Sequence, residues 1–289
     1  MTGERDPHEF EAARIGLSGA TLNVIDVGTG PAVLLLHGFP DRATMWRYQI
    51  RALVDAGHRV IAPDLRGFGD SDRPADPAAY SLTALTTDVT DLLDHCGVDH
   101  VSIAAHDWGA PIGWGLAATA PDRVRHLAAL SVGHPEAFMS AGLEQKQLSW
   151  YMLWFQFQAA EEQLPLDDWA MFRRWIHGGI PRGQDPDVDR QLADLERPGA
   201  LVAGLNWYRA NMPPVVFAQD SFGVDLPPIT CPVLAIHGEH DPALGERQII
   251  ESKKYVTGPW RYVKLPDVGH FFPVTAKERV NELLTEFFT

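Results

Sequence analysis

The stretch HVSIAAHDWGA, residues 100–110, decides how the rest of the chain is read. Its first half, VSIAA, is a short apolar run with the length and β-branching of a buried strand. Its second half opens a helix of small residues, and Asp107 stands at the junction. Ala105 and Gly109, two positions to either side, are small, as a sharp strand-to-helix turn requires if the middle side chain is to be pushed into the open. This is the pattern of a nucleophile elbow with aspartate at its centre. The same pattern also fits an aspartate that only caps the following helix, so the elbow reading needs support from elsewhere in the chain.

Outward from this point the pattern repeats. TLNVIDVG (21–28) alternates and ends in a glycine-rich turn, as a half-exposed strand does. PAVLLLHG (31–38), HRVIAPD (58–64), VRHLAALSV (124–132), CPVLAIHG (231–238) and WRYVKLPD (260–267) are near-continuous apolar runs, the signature of parallel strands covered on both faces. Helical patterns separate them: LTALTTDVTDLLDHCG (82–97), GAPIGWGLAATAPDRV (109–124) and the terminal AKERVNELLTEFFT (276–289). Alternation of this kind predicts an α/β fold, a doubly wound and mostly parallel sheet with its chemistry at the carboxyl ends of the strands. About a hundred residues between Val132 and Pro232 break the rhythm, far more than an ordinary crossover needs. They are rich in aromatics and predict a helical cap, residues 134–225, inserted into a core made of residues 1–133 and 226–289. Most of these aromatics are expected to hold the cap together; His134 and Trp154 are candidates to line a substrate pocket.

Bulk properties narrow the function classes. The formal net charge of −14 opposes phosphate backbones and anionic lipid, which argues against nucleic-acid and membrane partners. MTGERDPHEF has no apolar signal core, and no run approaches the ~18 apolar residues of a membrane span. Cys96 and Cys231 are the only cysteines. They form no disulfide framework or zinc site, which fits a cytoplasmic protein. His237 and His240 lack a nearby third ligand, so no metal is expected.

The ends of the other strands carry the remaining chemistry. LLLHGFPD (34–41) closes one strand with a loop in which the Phe39 N–H can act as an oxyanion donor, and the Trp108 N–H at the elbow is a second. His37 and His106 read as structural supports of these loops, and Asp64 and Asp70 as residues pinning the turn DLRGFGDS. CPVLAIHGEHDPAL (231–244) presents Asp241 after a late strand, and LPDVGHFF (265–272) presents His270 in the following loop. Asp107, Asp241 and His270 follow one another as nucleophile, acid and base, the chain order of this fold. That company favours the elbow over the helix cap.

With HGFP, AHDWGA and the late aspartate and histidine in place, the chain resembles the epoxide hydrolase and haloalkane dehalogenase branch of the α/β-hydrolase superfamily, and looks closer to soluble epoxide hydrolases. The similarity runs from HGFPD through MWRYQIRALVDAGHRVIAPDLRGFGDSDRP to the last helix and is weakest in the cap. There LNWYR (205–209) looks like the segment that carries one ring-opening tyrosine, implying that role for Tyr208. SWYMLWFQ (149–156) looks like the helix carrying the other, implying Tyr151. The resemblance implies hydrolysis of an apolar or aryl epoxide to a vicinal diol through an Asp107 ester, with only the epoxide and water as partners and no cofactor; a homo-oligomer is left open. A haloalkane dehalogenase would use the same Asp–His–Asp set, but such enzymes often place Asn where this chain has Phe39. A catalytically inactive relative that binds a small ligand is the alternative from another class.

Overall fold

The computed structural model describes residues 10–289; most of the MTGERDPHEF stretch lies outside the described residues. An eight-stranded sheet runs in the order β1-β2-β4-β3-β5-β6-β7-β8. The strands are β1 (Ala12–Gly16), β2 (Thr21–Gly28), β3 (Ala32–Leu36), β4 (Arg59–Pro63), β5 (Val101–His106), β6 (Val124–Leu130), β7 (Val233–Gly238) and β8 (Trp260–Leu265). From β4 across to β8 neighbouring strands are parallel, while β2 pairs antiparallel with β4 and β1 with β2. The sequence names every strand but β1. That strand is almost wholly exposed, so it joins the sheet through its backbone and carries no apolar signal.

The central strands are apolar throughout because both their faces are covered. On one face Val33, Leu35, Ala104, Leu130 and Ile236 meet Trp46 and, in α1 (Arg47–Asp55), Ile50, together with Leu283 and Leu284 of the terminal helix Lys277–Phe288. On the other, Leu34, Ile103, Ala105 and Leu127 join Val89 and Leu92 of α2 (Leu82–His95) and Ile112 of α3 (Gly109–Thr119). Complete burial of each such Val, Leu or Ile side chain contributes roughly 1.5–3 kcal/mol. α3 is buried on nearly every side, which is why its sequence has no polar face.

Between β6 and β7 the chain forms a run of helices from Pro135–Met139 to Pro214–Phe217. Several polar contacts join these helices to the strand ends. Buried Asp41, next to the Phe39 loop, accepts a hydrogen bond from Gln191 Nε2 (2.6 Å) and pairs with Arg190 (2.8 Å), both on the helix Pro186–Leu195. Arg47 pairs with Asp187 of the same helix at 2.7 Å. Trp207 Nε1 donates to the Arg66 carbonyl at 2.9 Å. No helix among the described residues is long and apolar enough to cross a membrane.

Candidate active site

Asp107 directly follows β5 and has a φ of 51°. This left-handed conformation costs a non-glycine residue about 1–3 kcal/mol and persists only where its surroundings impose it. They do so here: a Cβ on Gly109 would collide with the Leu36 carbonyl, and one on Gly38 with the Asp107 side chain. The backbone of β3 and its loop therefore lies directly against the elbow. The Phe39 N–H donates to Asp107 Oδ1 at 2.7 Å, and the Trp108 N–H also favours the ionised carboxylate.

The loop carrying Phe39 is fixed from behind. Its Phe39–Pro40 peptide bond is cis. His37 Nε2 accepts from the Leu65 N–H at 2.9 Å, which leaves Nδ1 to donate to the Gly38 carbonyl at the same distance. Asp64 accepts from the N–H groups of Ala43 and Asp70, whereas the Asp70 carboxylate turns outward to Arg197.

β7 and β8 deliver the other two groups. His270 Nδ1 donates to Asp241 Oδ2 at 2.8 Å, and Asp241 Oδ1 accepts from the N–H groups of Ala243 and Leu244, each at 3.0 Å. His270 Nε2 faces Asp107 Oδ2 at 3.6 Å, a charge contact rather than a hydrogen bond. His106 Nε2 donates to the His270 carbonyl at 2.9 Å and so holds the loop in place. The fold thus brings together three residues spread over more than 160 positions of sequence.

Charge organises this cluster. Burial disfavours ionisation of Asp107, but the His270 imidazolium outweighs it and holds the carboxyl below the usual carboxylate range. Burial likewise opposes a charge on His270, yet Asp241 and Asp107 on either side push it up to about 10. His106, buried beside it, is driven down to about 4 by desolvation and by the His270 charge.

Asp107 forms one wall of a small chamber of about 60 Å³ that Tyr151 and Tyr208 also line. The two tyrosine rings lie 5.8 Å apart, edge to face. Tyr208 packs against Phe39 and Trp108, and Tyr151 against Trp175. Burial raises both phenols well above their ordinary range, and the Asp107 charge adds to it. Most of the other lining is apolar, including Val132, Phe138, Met152, Met212 and Leu244.

Two residues expected in the pocket lie elsewhere. The His134 ring stacks on Tyr255 at 4.1 Å and its Nδ1 caps the next helix by accepting from the Glu136 N–H, so Gly133 and Pro135 reach the chamber while His134 does not. Trp154 packs on Trp150 and Phe155 and is absent from the lining. The sequence reading also missed Gln248 and Ser252. They accept from the N–H groups of Gly133 and His134 and so fix the loop after β6. In sequence they look like ordinary polar positions of a surface helix.

A family model described as alpha/beta hydrolase fold matches residues 31–276. The chain belongs to the α/β-hydrolase family. Within that family its relatives carry one name repeatedly. Epoxide hydrolase A of Mycobacterium tuberculosis is 33% identical over 315 aligned residues, covering 95% of this chain and 96% of the relative. An epoxide hydrolase of Caballeronia sordidicola is 31% identical, covering 94% and 92%. Among solved structures, a Bacillus megaterium epoxide hydrolase in complex with an inhibitor superposes with a TM-score of 0.86 at 28% identity, covering 96% of this chain and 99% of that one. These likenesses place the chain in the epoxide hydrolase branch of the α/β-hydrolases.

Proposed function

We propose that this α/β-hydrolase is an epoxide hydrolase that converts an apolar or aryl epoxide to a vicinal diol through a covalent ester on Asp107. The observation that carries the reading is the chamber itself: a carboxylate and two un-ionised phenols line one apolar space. Residues 134–225 act as the cap that supplies the phenols, over a core of residues 1–133 and 226–289.

An epoxide has no carbonyl, so the first step is displacement at an sp³ carbon. A carboxylate is charged already and needs no base to activate it. Oδ1 is engaged by the Phe39 N–H, which leaves Oδ2 to attack. The ring C–O bond breaks, and the departing oxygen takes a proton from Tyr208 or Tyr151. The new ester is neutral, so His270 loses one of the two charges that raise its basicity. It releases its proton, which restores the tyrosine, and then serves as a base.

In the second step His270, oriented by Asp241, takes a proton from water while the hydroxide adds to the ester carbon. The oxyanion develops on Oδ1, where the Phe39 and Trp108 N–H groups meet it. Collapse breaks the bond between the ester carbon and the alkyl oxygen, and the diol leaves with the proton of the new carboxyl group. Carboxylate and imidazolium are restored, and one water has been consumed. No step calls for a cofactor.

The test is to incubate purified protein with styrene oxide and, separately, with a terminal haloalkane, and to measure diol and halide. Diol without halide is expected. Halide without diol would instead assign the Asp–His–Asp set to dehalogenation, and silence with both would favour a ligand-binding relative.

A further inference from the structure

The chamber beside Asp107 is small, whereas a groove outside it holds about 520 Å³. The two are adjacent: Leu82, Pro111, Pro135 and Phe222 line both and form the wall between them. One side of the groove is the face of α2 that carries Thr83, Thr86, Thr87 and Thr90, and α3 adds Gly115 and Thr119.

These threonines make a less polar surface than their names suggest. Thr87 Oγ1 donates to the Thr83 carbonyl at 2.9 Å, Thr90 Oγ1 to that of Thr86 at 3.0 Å, and Thr119 Oγ1 to that of Gly115 at 2.8 Å. With the donor protons of these three hydroxyls committed to their own helices, Thr87, Thr90 and Thr119 offer a ligand mainly their methyl groups. Val224 and Leu226 complete an apolar lining. Among the described residues no Lys, Arg or His lines the groove, and its two acids are engaged. Asp91 accepts from Ser18, and Glu136 accepts from the Phe222 N–H at 3.1 Å.

We infer that the groove receives the substrate's own tail, and that the preferred substrate is an elongated, uncharged terminal epoxide with an unbranched apolar chain. This rests on the epoxide hydrolase reading and narrows it. The epoxide enters the chamber, and the tail passes Leu82 and Phe222 to lie along α2. From Thr83 to Asp91 the helix advances about 12 Å at 1.5 Å per residue, room for an extended chain of about ten carbons. A tail ending in a carboxylate would face two acids and no cation, and is disfavoured.

The experiment measures kcat/KM for terminal epoxides from six to sixteen carbons. Burying a methylene completely would raise the value about fourfold, so a groove open on one side should give about twofold per methylene, levelling off near the groove's length. An ω-carboxylated epoxide should run about tenfold below its methyl ester, because like charges repel at the groove's effective dielectric. A Cβ on Gly115 meets no atom within 4 Å, so Gly115→Phe should fold and place its ring in the groove. It should lower the ratio of long-chain to short-chain kcat/KM at least tenfold. Thr87→Lys, at an exposed position, should narrow the gap between acid and ester. Turnover that ignores chain length, or a ratio unmoved by Gly115→Phe, overturns the groove assignment alone. No diol from any epoxide overturns the epoxide hydrolase reading and the groove with it.

Discussion

Replacing His270 with glutamine should separate the two chemical steps. In the native site Nε2 lies 3.6 Å from Asp107 Oδ2, and Nδ1 donates to Asp241 at 2.8 Å. A glutamine amide can still donate toward Asp241, which keeps two backbone N–H partners of its own, but it cannot take a proton from water. Hydrolysis of the ester should slow by the contribution of a positioned general base, about 10²- to 10⁴-fold. Attack should suffer less, because Asp107 keeps the Phe39 and Trp108 N–H groups. Without the imidazolium, however, the buried carboxyl loses what holds it below the usual range. Its apparent pKa should rise, and ester formation should acquire an acid limb that the native protein lacks over the same pH interval.

Intact-mass measurement after rapid quenching provides the assay. The variant should accumulate an adduct equal in mass to the whole epoxide, at close to one per protein, with the label on Asp107. A single turnover of the native protein in oxygen-18 water supplies a second readout. If water attacks the ester carbon as proposed, the label should enter Asp107 and the first diol should carry the unlabelled carboxylate oxygen. A first diol that contains the label, together with no adduct in the variant, would refute the ester and put the water directly on the epoxide.

Three further outcomes follow from the geometry. Tyr151→Phe and Tyr208→Phe should each lower kcat/KM for ring opening about 10- to 100-fold, and the double variant by at least about 10³-fold, with ester hydrolysis little changed; pre-steady-state kinetics would resolve the steps. Arg190→Ala leaves Asp41 buried without its cation and should cost about 3 kcal/mol in a urea unfolding experiment, the low end for such pairs because Gln191 still donates to it. Thermal stability should peak near neutral pH. His106, His134 and His177 are held by burial at about 4, below the ordinary 6.5, so the unfolded chain takes up protons first and stability is lost as pH falls through that interval. His270, raised to about 10, contributes fully below 6.5 and loses that contribution as pH rises toward 10, so calorimetric scans from pH 4.5 to 9.5 should trace a maximum between these two losses.

How much of this was legible in the sequence depended on whether a residue's role leaves a local pattern. The central strands did, because burial on both faces makes every position apolar. Asp107 did, because the elbow demands small neighbours at fixed offsets. β1 did not, being an exposed edge strand, and β8 is less buried than its apolar appearance suggests. The chamber lining was equally hidden: Leu82, Met212 and Leu244 come from separate elements, and nothing marks them among many other apolar residues. His134 illustrates the limit at single-residue resolution. Its two neighbours reach the chamber, but the backbone turns its ring onto Tyr255, a residue more than a hundred positions away. The Asp41 pairing with Arg190 and Gln191 depends on how the helical insertion sits, which no local spacing encodes.

The deeper regularity is that one displaced charge would set the order of events. On the proposed mechanism the resting Asp107 carboxylate would do three things: act as the nucleophile, raise both phenols, and help keep His270 protonated. Ring opening moves that negative charge from Asp107 to the epoxide oxygen. The phenols, un-ionised until then, would meet a strongly basic oxygen and donate to it. His270 loses one of its two anionic neighbours and becomes a base only once there is an ester to hydrolyse. A serine at position 107 would carry no resting charge and would need His270 free as a base from the outset, so on the proposed mechanism the aspartate implies both the timing of the histidine and the need for separate proton donors such as Tyr151 and Tyr208.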